Sequence, residues 1–224
     1  MIEIKNLCVA FSKEYDVLHN INLKIEKGEK LALVGEKESG KTMLLRVLAK
    51  LEEIKSGEIL LDGTDLNNID YKKDYSVGFI PKKFVFLENK TVKQNLEYVL
   101  KMRSVDSATI NLKVLNALKN FDIIGLQNFK IKELSAYQKT LVQLARISLR
   151  RIKLFLIDDI TSGLLDSEAE KIVYKLRMLL LDNPESTFVF AFKNIEIARY
   201  LGLKIVKMKD GSIEFNDIID NQNA

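Results

Sequence analysis

A chain of 224 residues with 47% apolar and 29% charged side chains is long enough to bury a sizeable core and too apolar to stay disordered. Its formal charge of +4 is mild and no long basic stripe with interleaved aromatics occurs, so nucleic acid is not an expected partner. Cys8 is the single cysteine, which excludes a disulfide framework, and no apolar run approaches the ~20 residues of a membrane-spanning helix.

Residues 2–11 and 21–25 read as strands, with a polar turn over 12–16 between them. The second alternates apolar and polar, as a strand with one wet face does. Glu26-Lys27-Gly28-Glu29 turns the chain into 31–34, an uninterrupted apolar run that fits a strand buried on both faces. Met43, Leu44, Val47, Leu48 and Leu51 then recur at helical spacing, until Lys55-Ser56-Gly57 closes the helix. A short strand over 58–62 ends in an Asp62-Gly63 turn, and 77–80 is another, stopped by Pro81. From 91 to about 149 the pattern is helical, with Val92, Leu96, Val99 and Leu100, then Leu112, Leu115 and Leu118, then Leu141, Leu144, Ala145 and Leu149. This block, about 88–150, reads as a helical subdomain inserted between strands. A buried strand follows at 154–157, then a helix at 168–182 with Ser167 and Glu170 spaced as a capping box. A strand at 187–192, a helix at 194–201, a strand at 203–208 and an Asp210-Gly211 turn complete one domain over 1–216; the polar residues 217–224 are expected to fray.

Between the buried strand and its helix lies Gly35-Glu36-Lys37-Glu38-Ser39-Gly40-Lys41-Thr42, which fits G-x-x-x-x-G-K-[ST] in the strand–loop–helix context that motif requires. Gly35 and Gly40 permit backbone geometries in which successive N–H groups point at phosphate oxygens, and the helix N-terminus adds partial positive charge. Lys41 is expected on the β- and γ-phosphates and Thr42 on Mg²⁺. A phosphate loop also needs an acid for its metal. Asp158-Asp159, directly after the strand at 154–157, supplies one: Asp158 for Mg²⁺ and Asp159 to orient or deprotonate water.

These features, in this order, resemble the ABC-type ATPases, the nucleotide-binding domains of ABC transporters, over essentially all of residues 1–215. Leu134-Ser135-Ala136-Tyr137-Gln138 sits where that family has its LSGGQ signature, followed by Leu144-Ala145-Arg146, and the segment from Asp158 to Leu164 resembles DEPTSGL. The resemblance implies an α/β fold of the P-loop NTPase type: a RecA-like parallel-sheet core, an N-terminal antiparallel β-subdomain and an inserted helical subdomain. It further implies ATP and Mg²⁺ as ligands, a separate transmembrane subunit, and pairing with another such domain, as homo- or heterodimer. In such a pair Ser135 and Gln138 of one chain complete the other's site. With no secretion signal apparent at the start of the chain, the expected location is the cytoplasmic face of a membrane, bound peripherally.

Several positions depart from the family pattern. Aligned on Val77-Gly78-Phe79, the family's metal-binding glutamine falls at Lys82, where a cation can contact phosphate but not ligate Mg²⁺. The catalytic glutamate falls at Asp159, shorter by one carbon, about 1.5 Å; a displacement of that order costs roughly 10²-fold in rate. The switch histidine falls at Lys193, which keeps a donor and loses imidazole's acceptor. Tyr137 puts bulk where the signature has glycine. Asp166 is a candidate for the aspartate loop, blurred by Leu165. Because both the acid and the signature are altered on one chain, hydrolysis is expected to be slow or absent. The other readings are a fully active ATPase using Asp159 and a non-enzymatic, nucleotide-gated regulatory subunit.

Phe11 is read either as an aromatic stacking on adenine, with Tyr15 as substitute, or as core. His19, without companions at metal-ligand spacing, reads as a surface residue, and Cys8 as a packed or surface thiol. From Lys72 to Arg103, eight Lys/Arg face three Asp/Glu, which fits a solvated face or a docking surface for an acidic partner.

Overall fold

Apolar residues two apart along strands, interrupted where an asparagine turns left-handed, shape the front of the chain. Strands β1 (Ile2–Ser12) and β2 (Tyr15–Ile25) pair antiparallel, with Ile2 opposite Ile25, Ile4 opposite Leu23, Leu7 opposite Ile21 and Val9 opposite Leu18. All eight of these side chains are buried. Ile4 to Leu7 and Leu18 to Ile21 are steps of three, and Asn6 (φ 48°) and Asn20 (φ 49°) absorb the extra residue as bulges. That is why the second strand is longer than the 21–25 of the sequence expectation and the polar turn shorter: the alternation breaks at a bulge, not at a strand end. Strands β3 (Lys30–Val34), β4 (Ser56–Leu61) and β5 (Thr64–Asp65) follow. The first sheet has the order β2-β1-β4-β5. The fold, known from a computed structural model, is described for residues 1–12, 15–71, 76–102 and 105–214, without the side chains of 11, 12 and 15.

The second sheet adds β6 (Val77–Ile80), β7 (Leu154–Asp158), β8 (Thr187–Phe192), β9 (Lys204–Lys209) and β10 (Ser212–Ile213) in the order β10-β9-β3-β8-β7-β6. β9, β3, β8 and β7 run parallel; the apolar runs of β3, β8 and β7 fit strands covered on both faces, whereas β9 carries Lys204, Lys207 and Lys209 around its buried Ile205, Val206 and Met208. Phe188, Phe190 and Phe192 alternate along β8 and stack at centroid distances of 5.7 and 5.4 Å, with Phe155 of β7 stacked 4.2 Å from Phe188. Val189, Ala191, Leu154 and Leu156 join Leu44, Leu45 and Leu48 of helix α1 (Lys41–Leu48) in the core of the first unit.

By its contacts the chain forms two units: Met1–Phe79, Ile152–Asp159 and Pro184–Ala224 in the first, Ile80–Arg151 and Ile160–Asn183 in the second. The second is built from helices α2 (Val92–Lys101), α3 (Ser107–Asn120), α4 (Ala136–Ser148) and α5 (Asp166–Leu181), which bury Leu96, Leu100, Val114, Leu118, Leu144 and Leu176. Thr91 with Gln94, and Ser135 with Gln138, close α2 and α4 with reciprocal capping boxes. α5 starts two residues earlier than the Ser167–Glu170 spacing predicts, because Glu168 Oε2 accepts from the Leu165 amide at 3.3 Å. The last helix, α6 (Ile195–Tyr200), belongs to the first unit and is capped by Asn194, whose Oδ1 accepts from the Glu196 amide. Residues 217–224, Lys72, Lys73, Asp74 and Arg103 lie outside the described residues.

Candidate nucleotide site

The loop leaves the end of β3 and turns sharply into α1. A Cβ on Gly35 would stand 2.1 Å from the Met208 carbonyl oxygen and 2.7 Å from Ser39 Oγ, so any larger residue would push β9 away. Gly40 caps α1 at φ +94°, and a Cβ there would stand 2.6 Å from Leu18 Cδ2. Close approach dictates the first glycine; close approach and backbone together dictate the second. Lys41 is 9% exposed, and its Nζ donates to the carbonyls of Gly35 and Glu36, both at 2.7 Å, and to Ser39 Oγ at 2.8 Å. The ammonium is thereby centred inside the loop. Glu36, Lys37 and Glu38 expose 80%, 89% and 85% of their side chains, so what they offer a phosphate is the backbone N–H.

Thr42, one residue into α1, donates its hydroxyl to Asp158 Oδ1 at 2.9 Å and Oδ2 at 3.1 Å. Asp158 ends β7 and is 2% exposed. A hydroxyl and a buried carboxylate are hard oxygen donors of the kind Mg²⁺ takes, and the glycine-walled loop beside them is a cradle a Cβ would fill; the residues fit a magnesium–phosphate ligand. Asp159 adopts φ 41°, a left-handed conformation that Asp tolerates better than most residues, and its N–H donates to the Ala191 carbonyl at 3.0 Å. Lys193, just past β8, places Nζ 3.1 Å from Glu36 Oε2 at the loop's rim. The first unit thus brings together the loop, Asp158, Asp159 and Lys193.

The second unit carries Lys82, Ser135 and Gln138. Lys82 is exposed, next to Pro81, in a segment without regular structure. Ser135 Oγ accepts from the Gln138 amide at 3.2 Å and Gln138 Oε1 accepts from the Ser135 amide at 3.0 Å, so these two side chains cap α4. Tyr137 lies in the first turn of α4, where burial, with Asp122 and Glu168 nearby, pushes its phenol pKa up. The side chains of Phe11 and Tyr15 lie outside the described residues. His19 is exposed and its amide donates to the Gly211 carbonyl; Cys8 Sγ accepts from the Asn20 amide at 3.4 Å, beside the bulge. Sequence reasoning missed the Lys193–Glu36 ion pair, since no local pattern links residues so far apart.

A glycine loop on a parallel sheet, with a buried aspartate ending a strand two places away, defines a P-loop nucleotide-binding fold. Residues 18–162 match the ABC transporter family, and the chain belongs to it. Members of this family bind ATP with Mg²⁺. The chain is 30% identical over 213 residues to the spermidine/putrescine import ATP-binding protein PotA of Aggregatibacter actinomycetemcomitans, a match covering 95% of this chain and 56% of that protein. It is 32% identical over 213 residues to the sulfate/thiosulfate import ATP-binding protein CysA of a Synechocystis strain, covering 95% and 59%. The chain therefore spans less than two thirds of the length of these relatives. Among solved structures, the ATP-binding cassette MJ0796, a dimer in a post-hydrolysis state bound to ADP and Pi, superposes with a TM-score of 0.86 at 25% identity, covering 99% of this chain and 100% of that one. Among the described residues no helix is long and apolar enough to cross a membrane, and no cluster of three or more His, Cys, Asp or Glu is placed to hold a metal.

Proposed function

We propose that this chain is the ATP-binding subunit of a membrane transport complex, holding MgATP at the loop of residues 35–42 and hydrolysing it slowly or not at all. The observation that carries the reading is an uneven set of parts. Lys41, Thr42 and Asp158 stand ready for phosphate and metal, while, by the resemblance, Asp159, Lys82, Lys193 and Tyr137 replace the residues that in the family act on water, the γ-phosphate and the partner's nucleotide. The names of the relatives, both import ATP-binding proteins, support an importer.

In this reading the backbone amides of residues 36–40 and the α1 N-terminus receive the phosphates, and Lys41 Nζ turns from its carbonyls to their oxygens. Thr42 and Asp158 would hold Mg²⁺, which would supply neutralisation of the phosphates' charge. The Asp159 carboxylate reaches toward water from one carbon further back than glutamate would. Ser135 and Gln138, by resemblance, serve a second cassette chain, and a separate transmembrane subunit docks the pair to the cytoplasmic face.

Steady-state phosphate release tests this. The wild type is expected to bind MgATP yet turn over far below the ~10 s⁻¹ typical of enzymes. Asp159→Glu is expected to raise turnover, by up to roughly 10²-fold. Release at an ordinary enzymatic rate in the wild type, abolished by Lys41→Ala, would sink the proposal of weak hydrolysis.

A further inference from the structure

One face of α4 carries Lys139, Gln143 and Arg146, spaced as i, i+4 and i+7 and therefore stacked along the helix. All three meet the same segment, residues 81–88. Gln143, 2% exposed, directs Nε2 at the Pro81 carbonyl, 3.5 Å away. Arg146 donates from Nη1 to the Val85 carbonyl at 2.5 Å and lays its guanidinium 4.8 Å from the Phe86 ring centroid. Lys139 places Nζ 5.9 Å from the Phe84 ring centroid and 3.7 Å from Glu88 Oε2.

The segment itself shows why it needs this support. Phe84 and Phe86 are half-buried while Val85 and Leu87 are exposed, an alternation of period two, yet the stretch belongs to neither sheet. A segment outside both sheets must satisfy its backbone groups elsewhere. Arg146 takes the Val85 carbonyl. Asn95 of α2, 3% exposed, takes the far end: its Oδ1 accepts from the Leu87 amide at 2.9 Å and its Nδ2 donates to the Leu87 carbonyl at 3.1 Å. Burial lowers the Arg146 pKa, so the guanidinium gives up water to make these contacts. Arginine suits the position because one planar group both forks hydrogen bonds and stacks on a ring, which lysine cannot do.

We infer that Arg146 is a positioning residue: it fastens the segment that carries Lys82 to α4, the helix that Ser135 and Gln138 cap, so that the two are placed as one piece. The inference rests on the function proposed above and on reading Lys82 as a contact to the γ-phosphate, the role open to a cation at that position. It joins the two altered motifs physically, since whatever moves the head of α4 also moves the Lys82 segment.

Limited tryptic cleavage of the full chain after Lys82 and Lys83 tests the fastening, and ATP and ADP affinities of the same samples test the positioning. Arg146→Ala and Phe86→Ala are each expected to raise cleavage there by about tenfold or more, with little further gain when combined. Arg146→Lys should not restore protection. ADP affinity should stay within about twofold, while the preference for ATP over ADP should fall to that of Lys82→Ala. Unchanged cleavage after Lys82 and Lys83 in both variants overturns the inference, as does an equal rise at lysines throughout the chain. If Lys82→Ala leaves the ATP preference untouched, the assignment of Lys82 fails, whereas the cleavage result still decides the fastening.

Discussion

Lys193 Nζ lies 3.1 Å from Glu36 Oε2, tying the residue just past β8 to the first variable residue of the phosphate loop. The side chains are 67% and 80% exposed, so the pair adds little to stability. Its effect is on charge at the loop's mouth. Glu36 puts a carboxylate where a triphosphate must arrive, and Lys193 offsets it. Lys193→Ala should weaken MgATP binding about fivefold, the ~1 kcal/mol of two charges 4 Å apart in water. Adding Glu36→Gln should recover most of the loss. A titration-calorimetry cycle of the two substitutions at low salt checks this; strictly additive effects would rule the coupling out.

Gly35→Ala should damage the fold as well as the site, because its Cβ would enter the space of the Met208 carbonyl oxygen at 2.1 Å. Overpacking of this kind costs about 1–3 kcal/mol, and the strain falls on the β3–β9 pairing that holds the loop. Chemical denaturation should show the loss of stability, and nucleotide affinity should fall with it. A variant of wild-type stability would mean that β9 yields easily.

Asp158→Asn should separate metal binding from phosphate binding. The amide keeps the size and one oxygen, so the Thr42 contact survives, but the charge that Mg²⁺ needs is gone. Chelation with EDTA is expected to weaken ATP binding in the wild type by about tenfold or more and to change little in the variant. An undiminished EDTA effect in Asp158→Asn would move the metal's anchor elsewhere.

Lys30 offers a prediction away from the site. Its Nζ donates to the carbonyls of Gly28, Pro184 and Ser186 and closes the mouth between β3 and the turn before β8. Lys30→Met preserves the stem and strands three oxygens, which should cost about 1–3 kcal/mol in urea unfolding. Nucleotide affinity should be unaffected, since the loop lies at the other end of β3.

The loop and the strand before it were legible because glycine is forced there by contacts a side chain cannot share, and because a strand covered on both faces has no polar positions. β7 and β8 were legible for the same reason. The first strand was legible despite the bulge at Asn6, but the second was cut short because Asn20 inserts a residue, which hides the period of two. The start of α5 was missed because Leu165 has no capping oxygen; the recognisable half of its cap is Glu168, three residues on. Arg146 was legible as part of a family-like helix, but its partner is a segment outside both sheets that carries no local signature. Long-range pairs of single side chains, such as Lys193 with Glu36, leave no trace in spacing at all.

β8 lies between β3 and β7, paired residue by residue from Lys30 opposite Phe188 to Val34 opposite Phe192 on one side, and from Leu154 opposite Thr187 to Asp158 opposite Ala191 on the other. Two strand spacings, roughly 9–10 Å, therefore separate the backbones that carry the loop and the acid. β8 works as a gauge block: it contributes no side chain to the Thr42–Asp158 contact, yet its width decides whether that contact closes. Its stacked phenylalanines make that width stiff. Substitutions in β8 would thus detune metal holding from a distance while every liganding residue kept its identity.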